Sequence, residues 1–194
     1  MSLGLLSIVK SSYRNKLFKN GATAIFALMP NASNKYVLLT GSDLGNREGN
    51  LELALELISE NIGDVLQTSE VMESEPWGFE SDTRFLNQAI LVKTVLQPQA
   101  LLQKILKIEQ EIGRVRKETQ WVSRVIDIDI LCTKQLIHHT DELTVPHKHL
   151  HNRSFALAPL CQLAPTWTHP LLKKTYHQLL LEVTESKNAH ATQK

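Results

Sequence analysis

The feature that most constrains this fold is the run from Arg124 to Cys132, in which isoleucine and aspartate alternate. Alternation with a period of two predicts a β-strand, because successive side chains of a strand point to opposite faces of the sheet. One face would carry Ile126, Ile128 and Ile130, and the other would carry Asp127, Asp129 and Leu131. The chain therefore contains a strand with one apolar face and one acidic face.

Apolar residues at two spacings predict the remaining elements. Short apolar runs predict strands at 36–40, across the mixed segment 65–74, and from Phe85 to Leu96. Helical spacing predicts helices over 47–61 and from Pro98 to Ile112, with Gly113 just past the second helix. The order β-α-β-β-α-β is that of the split βαβ plan. We therefore expect an α+β fold, a ferredoxin-like βαββαβ sandwich.

Charge separates an N-terminal leader from the rest of the chain. Residues 1–35 contain five basic residues and no acidic one, which leaves 16 basic against 20 acidic residues in 36–194. Such a leader is typical of a mitochondrial transit peptide, and it equally fits upstream translation ahead of a start at Met29. Either origin places it outside the fold. We expect the domain to span 36–185, with a C-terminal extension that holds helices near 152–162 and 171–183.

Composition argues against several classes of protein. A chain of 194 residues with 42% hydrophobic residues suits one soluble domain. No apolar stretch reaches the roughly 18–20 residues of a membrane span. The mildly acidic folded part does not suit nucleic-acid binding. Cys132 and Cys161 form no CxxC pattern, so two buried, unlinked thiols in a reducing cytoplasm are expected.

Asp127 and Asp129 are the first candidates for a chemical role. Residues two apart on a strand lie about 6.6–7 Å apart, which suits carboxylates that hold one or two hard cations. Without a cation, two carboxylates at this range repel each other in an apolar setting, which disfavours their ionised forms. The alternative interpretation is an ordinary strand with one solvated face.

A basic segment leads directly into this strand. Arg114, Arg116, Lys117 and Arg124 crowd it, and guanidinium groups match phosphate oxygens in geometry and charge. An acidic pair beside a basic loop suits transfer of a phosphate-containing group, which depends on positioning and charge neutralisation. A solvated basic loop balanced by neighbouring glutamates is the alternative. Because neither a GxxxxGK(S/T) nor a GxGxxG motif occurs, any ATP would bind through arginines and metal.

Aromatic and histidine side chains in predicted loops complete the candidates. Trp77 and Trp121 lie in loops, where a large ring suits stacking on a flat heterocycle, although most aromatic residues of such a chain belong to the core. His147 follows Val145-Pro146 and is the histidine best placed to contact a nucleotide phosphate.

Several motifs occur in order along residues 36–165. They are Thr40-Gly-Ser-Asp-Leu-Gly-Asn46, Glu75-Pro-Trp-Gly78, Phe85-Leu-Asn87, Gly113-Arg-Val-Arg116, Trp121 with Arg124, Asp127-Ile-Asp-Ile-Leu131, Val145-Pro-His147, and Asn152-Arg153 with Phe155. Together they resemble the 6-hydroxymethyl-7,8-dihydropterin pyrophosphokinase family. The resemblance implies a ferredoxin-like fold and an ATP-dependent enzyme of folate biosynthesis. That enzyme would transfer the pyrophosphoryl group of ATP to the pterin hydroxymethyl oxygen and release AMP.

The resemblance also implies roles for single residues. Asp127 and Asp129 would bind two Mg²⁺ ions that bridge the phosphates, and with Arg114 and Arg124 they would form the catalytic set. ATP would contact Glu109, Arg114, Arg116, Trp121, Arg124, His147 and Arg153. The pterin would contact Ser74, Trp77, Phe85, Asn87, Trp121 and Phe155. We expect a monomer that binds ATP and a pterin alcohol, and neither nucleic acid nor membrane.

The chain departs from the family pattern at a few positions. Val122-Ser123 stands where Gly-Pro is usual, Gln120 where arginine is common, Asp43 where asparagine is usual, and Glu142 where some members have arginine. Loss of Gly and Pro changes which backbone conformations the loop near residue 120 favours. The alternative function is therefore a divergent paralogue that binds pterin or nucleotide with little or no transfer.

Overall fold

The computed structural model describes residues 33–76, 83–114 and 123–191, with side chains through residue 186. Residues Ser33–Lys194 form one compact unit. The predicted leader lies outside the described residues except at its end. Strand β1 (Asn34–Ser42) includes Asn34 and Lys35, so the sheet begins two residues before the predicted start of the domain.

One antiparallel sheet forms the centre of the fold. Its strands are β1, β2 (Asp64–Thr68), β3 (Met72–Ser74), β4 (Phe85–Thr94) and β5 (Asp127–Thr133). The order is β2-β4-β1-β5, and β3 pairs with the first residues of β4, whereas β2 pairs with its later residues. Two short strands, β6 (His138–His139) and β7 (Thr144–Val145), form a separate hairpin.

The two helices between strands begin and end where local sequence signals place them. Helix α1 (Arg47–Asn61) is capped by Asn46, whose Oδ1 accepts a hydrogen bond from the Gly49 amide at 3.2 Å. Helix α2 (Pro98–Ile112) starts at a proline and ends at Gly113, whose φ of 107° is the left-handed conformation that favours glycine. Both helices match the predicted ranges, and the ferredoxin-like α+β fold is confirmed.

Each face of the sheet has its own hydrophobic core. Helices α1 and α2 cover one face, where Ile126, Ile128 and Ile130 are buried as the alternation predicts. The other face is covered in part by α3 (Ser154–Leu163) and α4 (Tyr176–Ala191), which pack Leu157, Leu160 and Tyr176 against it. Asp127 and Asp129 lie on this second face, where their side chains remain 29% and 31% exposed.

Several predicted boundaries were wrong. The segment 65–74 is two strands rather than one, because residues 69–71 leave the sheet. Strand β5 starts at Asp127 instead of Arg124. The last helix begins at Tyr176 instead of 171, because the backbone amide of His169 bonds the Lys174 carbonyl at 2.8 Å and closes a turn there. A short 3₁₀ helix (Leu150–Asn152) precedes α3.

The two cysteines are unlinked, as expected, but they differ in burial. Cys132 is fully buried, whereas Cys161 is only half-buried, so the prediction of two buried thiols was wrong for Cys161. The pairing of β1 with β5 shifts register between Val37 and Leu38, which leaves Leu131 as an extra residue. Leu131 and Cys132 therefore both belong to the second core.

Candidate functional site

The antiparallel sheet places the end of β1 beside the starts of β4 and β5, at one end of the strands. In the register of the sheet, Gly41 pairs with Asn87 on one side and with Asp127 on the other. Neighbouring strands lie about 4.8 Å apart, so Asn87 and Asp127 are separated by roughly 10 Å with a glycine between them. Residues that are 40 positions apart in the sequence thereby line one surface.

A cavity of about 370 Å³ opens above this glycine. A Cβ atom on Gly41 would lie 3.3 Å from Asn87 Oδ1 and 3.7 Å from the Phe85 ring, so the missing side chain leaves the floor open. The predicted residues that line the cavity are Ser74, Phe85, Asn87, Glu109, Arg114, Arg124, Asp127, Asp129, His147, Arg153 and Phe155. Trp77, Arg116 and Trp121 were also predicted, and they lie outside the described residues.

Basic side chains surround the acidic pair. Arg114 Nη1 donates to Asp127 Oδ1 at 2.6 Å, and Arg124 Nη1 donates to Asp127 Oδ2 at 2.9 Å. Arg153 Nη1 lies 3.5 Å from Asp129 Oδ2. Burial opposes the charge of Arg114, but the neighbouring Asp127 and Glu109 outweigh it and raise its pKa above the usual value. The carboxylates and guanidinium groups thus form one connected charge cluster.

Asp129 is the carboxylate of the cluster whose negative charge is disfavoured by its surroundings. Burial at the base of the cavity and the like charge of Asp127 raise the pKa of Asp129 to about 7, although Arg153 opposes the rise. A carboxylate whose charge is disfavoured in this way gains from a nearby cation.

Glu109 lies in the last turn of α2 and reaches across to the start of β5. Its side chain is 3% exposed, and its Oε1 accepts hydrogen bonds from the Ile128 amide at 2.9 Å and from Arg114. The carboxylate therefore joins α2 to the strand that carries both aspartates. This contact places Glu109 behind Arg114, in a position that the sequence pattern did not predict.

His147 and Arg153 also line the cavity. Burial and the neighbouring Arg153 lower the pKa of His147 to about 3, so its imidazole is neutral at physiological pH. The His149 amide lies 3.2 Å from His147 Nδ1. With Nδ1 as acceptor, the proton of the neutral ring belongs on Nε2. The Arg153 guanidinium lies 5.7 Å from the centre of the Phe155 ring, a distance at which the cation attracts the ring face.

The wall formed by β3 and β4 is suited to a small polar heterocycle. Asn87 is buried and its Nδ2 donates to Ser74 Oγ at 2.9 Å, which orients the amide. Its Oδ1 lies beside the position that a Gly41 side chain would fill. Phe85 and Phe155 also line the cavity and are half-buried, so apolar ring surface faces an oriented amide.

The sequence analysis missed Leu39, Gly41, Glu75, Leu102, Leu106 and Ile128 of the cavity lining, and it also missed Lys148 and His149. Both follow His147 directly, and that adjacency was the available signal. Lys148, like Arg153, adds positive charge to the lining of the cavity. Within the described part of the chain, no group of three or more His, Cys, Asp or Glu side chains is arranged to hold a metal by itself.

Comparisons with known proteins agree with this geometry. A family model described as 7,8-dihydro-6-hydroxymethylpterin-pyrophosphokinase (HPPK) matches residues 37–165. A protein named 2-amino-4-hydroxy-6-hydroxymethyldihydropteridine pyrophosphokinase from Aquifex aeolicus is 40% identical over 144 residues, which cover 74% of this chain and 89% of that protein. Its namesake from Bacillus subtilis is 39% identical over 129 residues, which cover 66% and 76%.

Solved structures share the fold. A Plasmodium falciparum HPPK-DHPS crystal structure superposes with a TM-score of 0.64 at 18% identity, over 81% of this chain and 47% of that one. A second HPPK-DHPS structure, in complex with substrates, gives 0.64 at 17% identity over 80% and 44%. This chain therefore spans less than half of those two chains, and at such identity the likeness concerns the fold alone.

Proposed function

The chain belongs to the 7,8-dihydro-6-hydroxymethylpterin-pyrophosphokinase family, and on that premise we propose that its cavity transfers the pyrophosphoryl group of ATP to a hydroxymethyldihydropterin. This reaction is a step of folate synthesis. The hydroxymethyl oxygen attacks the β-phosphorus and loses its proton, the bond from that phosphorus to the α–β bridging oxygen breaks, and AMP leaves. No covalent enzyme intermediate is needed.

The observation that carries the proposal is the meeting of two different walls in one cavity. One wall holds the acidic pair with Arg114 and Arg124, and the other side of Gly41 holds the oriented amide of Asn87. Phosphate groups match the first wall in charge, and a flat heterocycle with polar edges matches the second. The two substrates would meet above the glycine.

The acidic pair fits Mg²⁺. Two carboxylates without a third acidic ligand leave coordination positions for phosphate oxygens and water, which is how Mg²⁺ usually binds at phosphate-transfer sites. The raised pKa of Asp129 supports this assignment, because a bound cation would stabilise its charged form. Asp127 and Asp129 would hold the metal, two ions being the number we propose, and bound Mg²⁺ would neutralise the charge of the phosphates.

The basic residues would bind and orient the phosphates. Arg114 and Arg124 contact Asp127, so their guanidinium groups lie beside the carboxylate proposed to hold the metal, and phosphate oxygens would replace that carboxylate as their acceptors. Arg153 and the neutral His147, with its proton on Nε2, would donate hydrogen bonds to phosphate oxygens. Preoriented donors of this kind stabilise the charge that develops during transfer.

The pterin would occupy the wall formed by Ser74, Phe85, Asn87 and Phe155. The amide of Asn87 would bond the polar edge of the ring, and the two phenylalanines would enclose its faces. Arg116, Trp77 and Trp121 remain proposed ligand contacts on the resemblance alone.

The direct test is AMP release by the purified chain. We expect AMP to form from ATP only when both Mg²⁺ and 6-hydroxymethyl-7,8-dihydropterin are present. Calorimetric binding of both ligands without AMP would instead support the alternative of a paralogue with little transfer, which the replacements at Gln120 and Val122-Ser123 motivated.

Replacing either aspartate by asparagine gives a sharper test of the metal site. We expect Asp127→Asn and Asp129→Asn each to lower kcat by about 10³-fold, because the cation that offsets phosphate charge is lost. Asp141→Asn, at an exposed turn between β6 and β7, is the matched control and should keep full activity. A fully active Asp127→Asn/Asp129→Asn double variant would refute the metal assignment.

Location and assembly follow as parts of the same proposal. Across the described ranges no helix has the length and apolar character to cross a membrane. The unlinked thiols suit a reducing compartment, and we place the enzyme in the cytoplasm. We also propose that the enzyme is active as a monomer.

A further inference from the structure

Asp43, a residue outside the candidate site, is bonded to the backbone of a residue inside it. Asp43 follows β1 and is 1% exposed. Its Oδ1 accepts a hydrogen bond from the Arg124 amide at 2.6 Å, and its own amide donates to the Arg124 carbonyl at 3.3 Å. Both backbone groups of Arg124 are thereby held by one buried residue.

The neighbouring residues repeat this anchoring one position further along. Ser42 Oγ donates to the Val125 carbonyl at 2.6 Å, and Asn50 Nδ2 donates to the same carbonyl at 3.1 Å. The end of β1 and the first turn of α1 thus hold residues 124 and 125 in place before β5 begins. Thr83 Oγ1 also donates to the Asp43 carbonyl at 2.9 Å, so Asp43 joins three separate parts of the chain.

The side chain of Arg124 begins at this anchored backbone and ends at the acidic pair, where Nη1 lies 2.9 Å from Asp127 Oδ2. A fixed Cα limits where a guanidinium can reach, and an error of about 1 Å in the position of a reacting group can cost roughly 10²-fold in rate. A buried carboxylate is costly unless it is hydrogen-bonded. Among the described residues, Asp43 Oδ2 has no partner, so the Arg124 amide is the bond that offsets this cost.

We propose that Asp43 is a positioning residue for the transfer reaction, which acts by fixing the backbone of Arg124 so that its guanidinium meets the phosphates. The proposal rests on the proposed function in that it takes Arg124 to contact ATP. Asp43 itself is not among the residues that line the cavity. Because asparagine offers the same Oδ1 acceptor, it would serve in the same way.

A double-mutant cycle tests the proposal in the full-length chain. We expect Asp43→Ala to lower kcat by about 10²-fold while the KM for the pterin stays within roughly 2-fold, because alanine loses the side-chain bond to Arg124 but keeps the backbone carbonyl that Thr83 contacts. Asp43→Asn should restore most of the rate. In an Arg124→Ala background, Asp43→Ala should cost nothing further, since Asp43 acts through Arg124. Additive losses would overturn the proposal.

The matched control is Ser69→Ala. Ser69 is 5% exposed and its Oγ accepts a hydrogen bond from the Ala89 amide at 2.9 Å, so it is a buried acceptor of a backbone amide that lies away from the cavity. Its loss should lower the unfolding temperature and leave kcat unchanged. An equal fall in kcat for Ser69→Ala would show that Asp43→Ala acts through general destabilisation.

Hydrogen exchange in the wild-type chain keeps the proposal testable if Asp43→Ala does not fold. The Arg124 amide should exchange slowly without ligand, and rapid exchange like that of an exposed loop amide would contradict the anchoring. This measurement is independent of turnover. If the wild-type chain releases no AMP, the proposed function fails, whereas additivity in an active enzyme sinks only the role of Asp43.

Discussion

At the scale of single residues, the site depends on one position where a side chain is missing. Gly41 lies between Asn87 and Asp127 in the sheet, and a Cβ atom there would lie 3.3 Å from Asn87 Oδ1. Contacts that short force a neighbour to shift. The floor of the cavity therefore has no room for even a methyl group without moving the amide proposed to bind the pterin.

Gly41→Ala should consequently weaken pterin binding. We expect the KM for the pterin to rise by about 10-fold, comparable to the loss of about one hydrogen bond, because Asn87 is displaced from its bond to Ser74. Steady-state kinetics at saturating ATP would measure it. A pterin KM equal to that of the wild type would contradict the placement of the pterin beside Asn87.

His147 gives a prediction about pH. The folded state lowers its pKa to about 3, whereas the unfolded chain has an ordinary imidazole near 6.5. Between these values the unfolded state binds more protons, so the free energy of unfolding should fall as pH falls from about 6.5 towards 3. NMR titration should find the His147 ring neutral at pH 5. A midpoint near 6.5 would show that burial and Arg153 do not act as described, and His147→Gln should flatten the acid dependence of stability.

At the scale of elements, helix α2 and strand β5 are joined by a buried ion pair rather than by apolar contact alone. Glu109 bonds both the Ile128 amide and Arg114, whose side chain is 17% exposed. The link holds the acidic strand against the helix next to the cavity. It also explains why the helix must end at Gly113, since the chain turns there to place Arg114 over Asp127.

Breaking that link should be costly. Glu109→Ala removes the acceptor of the buried Ile128 amide and a carboxylate partner of the partly buried Arg114, and we expect the free energy of unfolding to fall by about 3 kcal/mol. Glu109→Gln keeps an oxygen acceptor for Ile128 and should cost less. Urea unfolding of both variants measures the difference. Equal stability of Glu109→Ala and the wild type would mean that the contact contributes nothing.

At the scale of the whole molecule, the two faces of the sheet differ in polarity. The face under α1 and α2 carries a continuous apolar core. The other face is apolar where α3 and α4 cover it. It is polar at the end of the strands where Asp127, Asp129 and Asn87 line the cavity. The C-terminal extension thus completes a second core and leaves the end of the strands that holds the cavity accessible to substrates.

Because both cores lie within residues 36–179, the chain that begins at Met29 should fold by itself. We expect it to unfold at the same temperature as the full-length chain and to release AMP at the same rate. Differential scanning calorimetry and the AMP assay would compare the two. A clear loss of stability without residues 1–28 would contradict the prediction that the leader is not part of the fold.

Much of the fold could be predicted from local signals. The ranges of α1 and α2 and the buried isoleucine face of β5 follow from periodicity and from Asn46, Pro98 and Gly113, because helix and strand repeats are set by backbone geometry. Boundaries failed for two different reasons, one a contact between distant strands and one a local turn. The break between β2 and β3 depends on pairing with β4, and the late start of α4 depends on the turn at His169.

For the site, residue types indicated the chemistry, but folding determined which residues meet. Alternation and charge singled out Asp127 and Asp129 with Arg114, Arg116 and Arg124, since carboxylate and guanidinium groups carry the same preferences in any chain, whereas Arg153 came only from the resemblance. The pairing of Gly41 with both Asn87 and Asp127, the anchoring of Arg124 by Asp43, and the burial of Glu109 depend on sheet register and helix packing. These contacts join residues up to 86 positions apart, and no local pattern encodes such a distance.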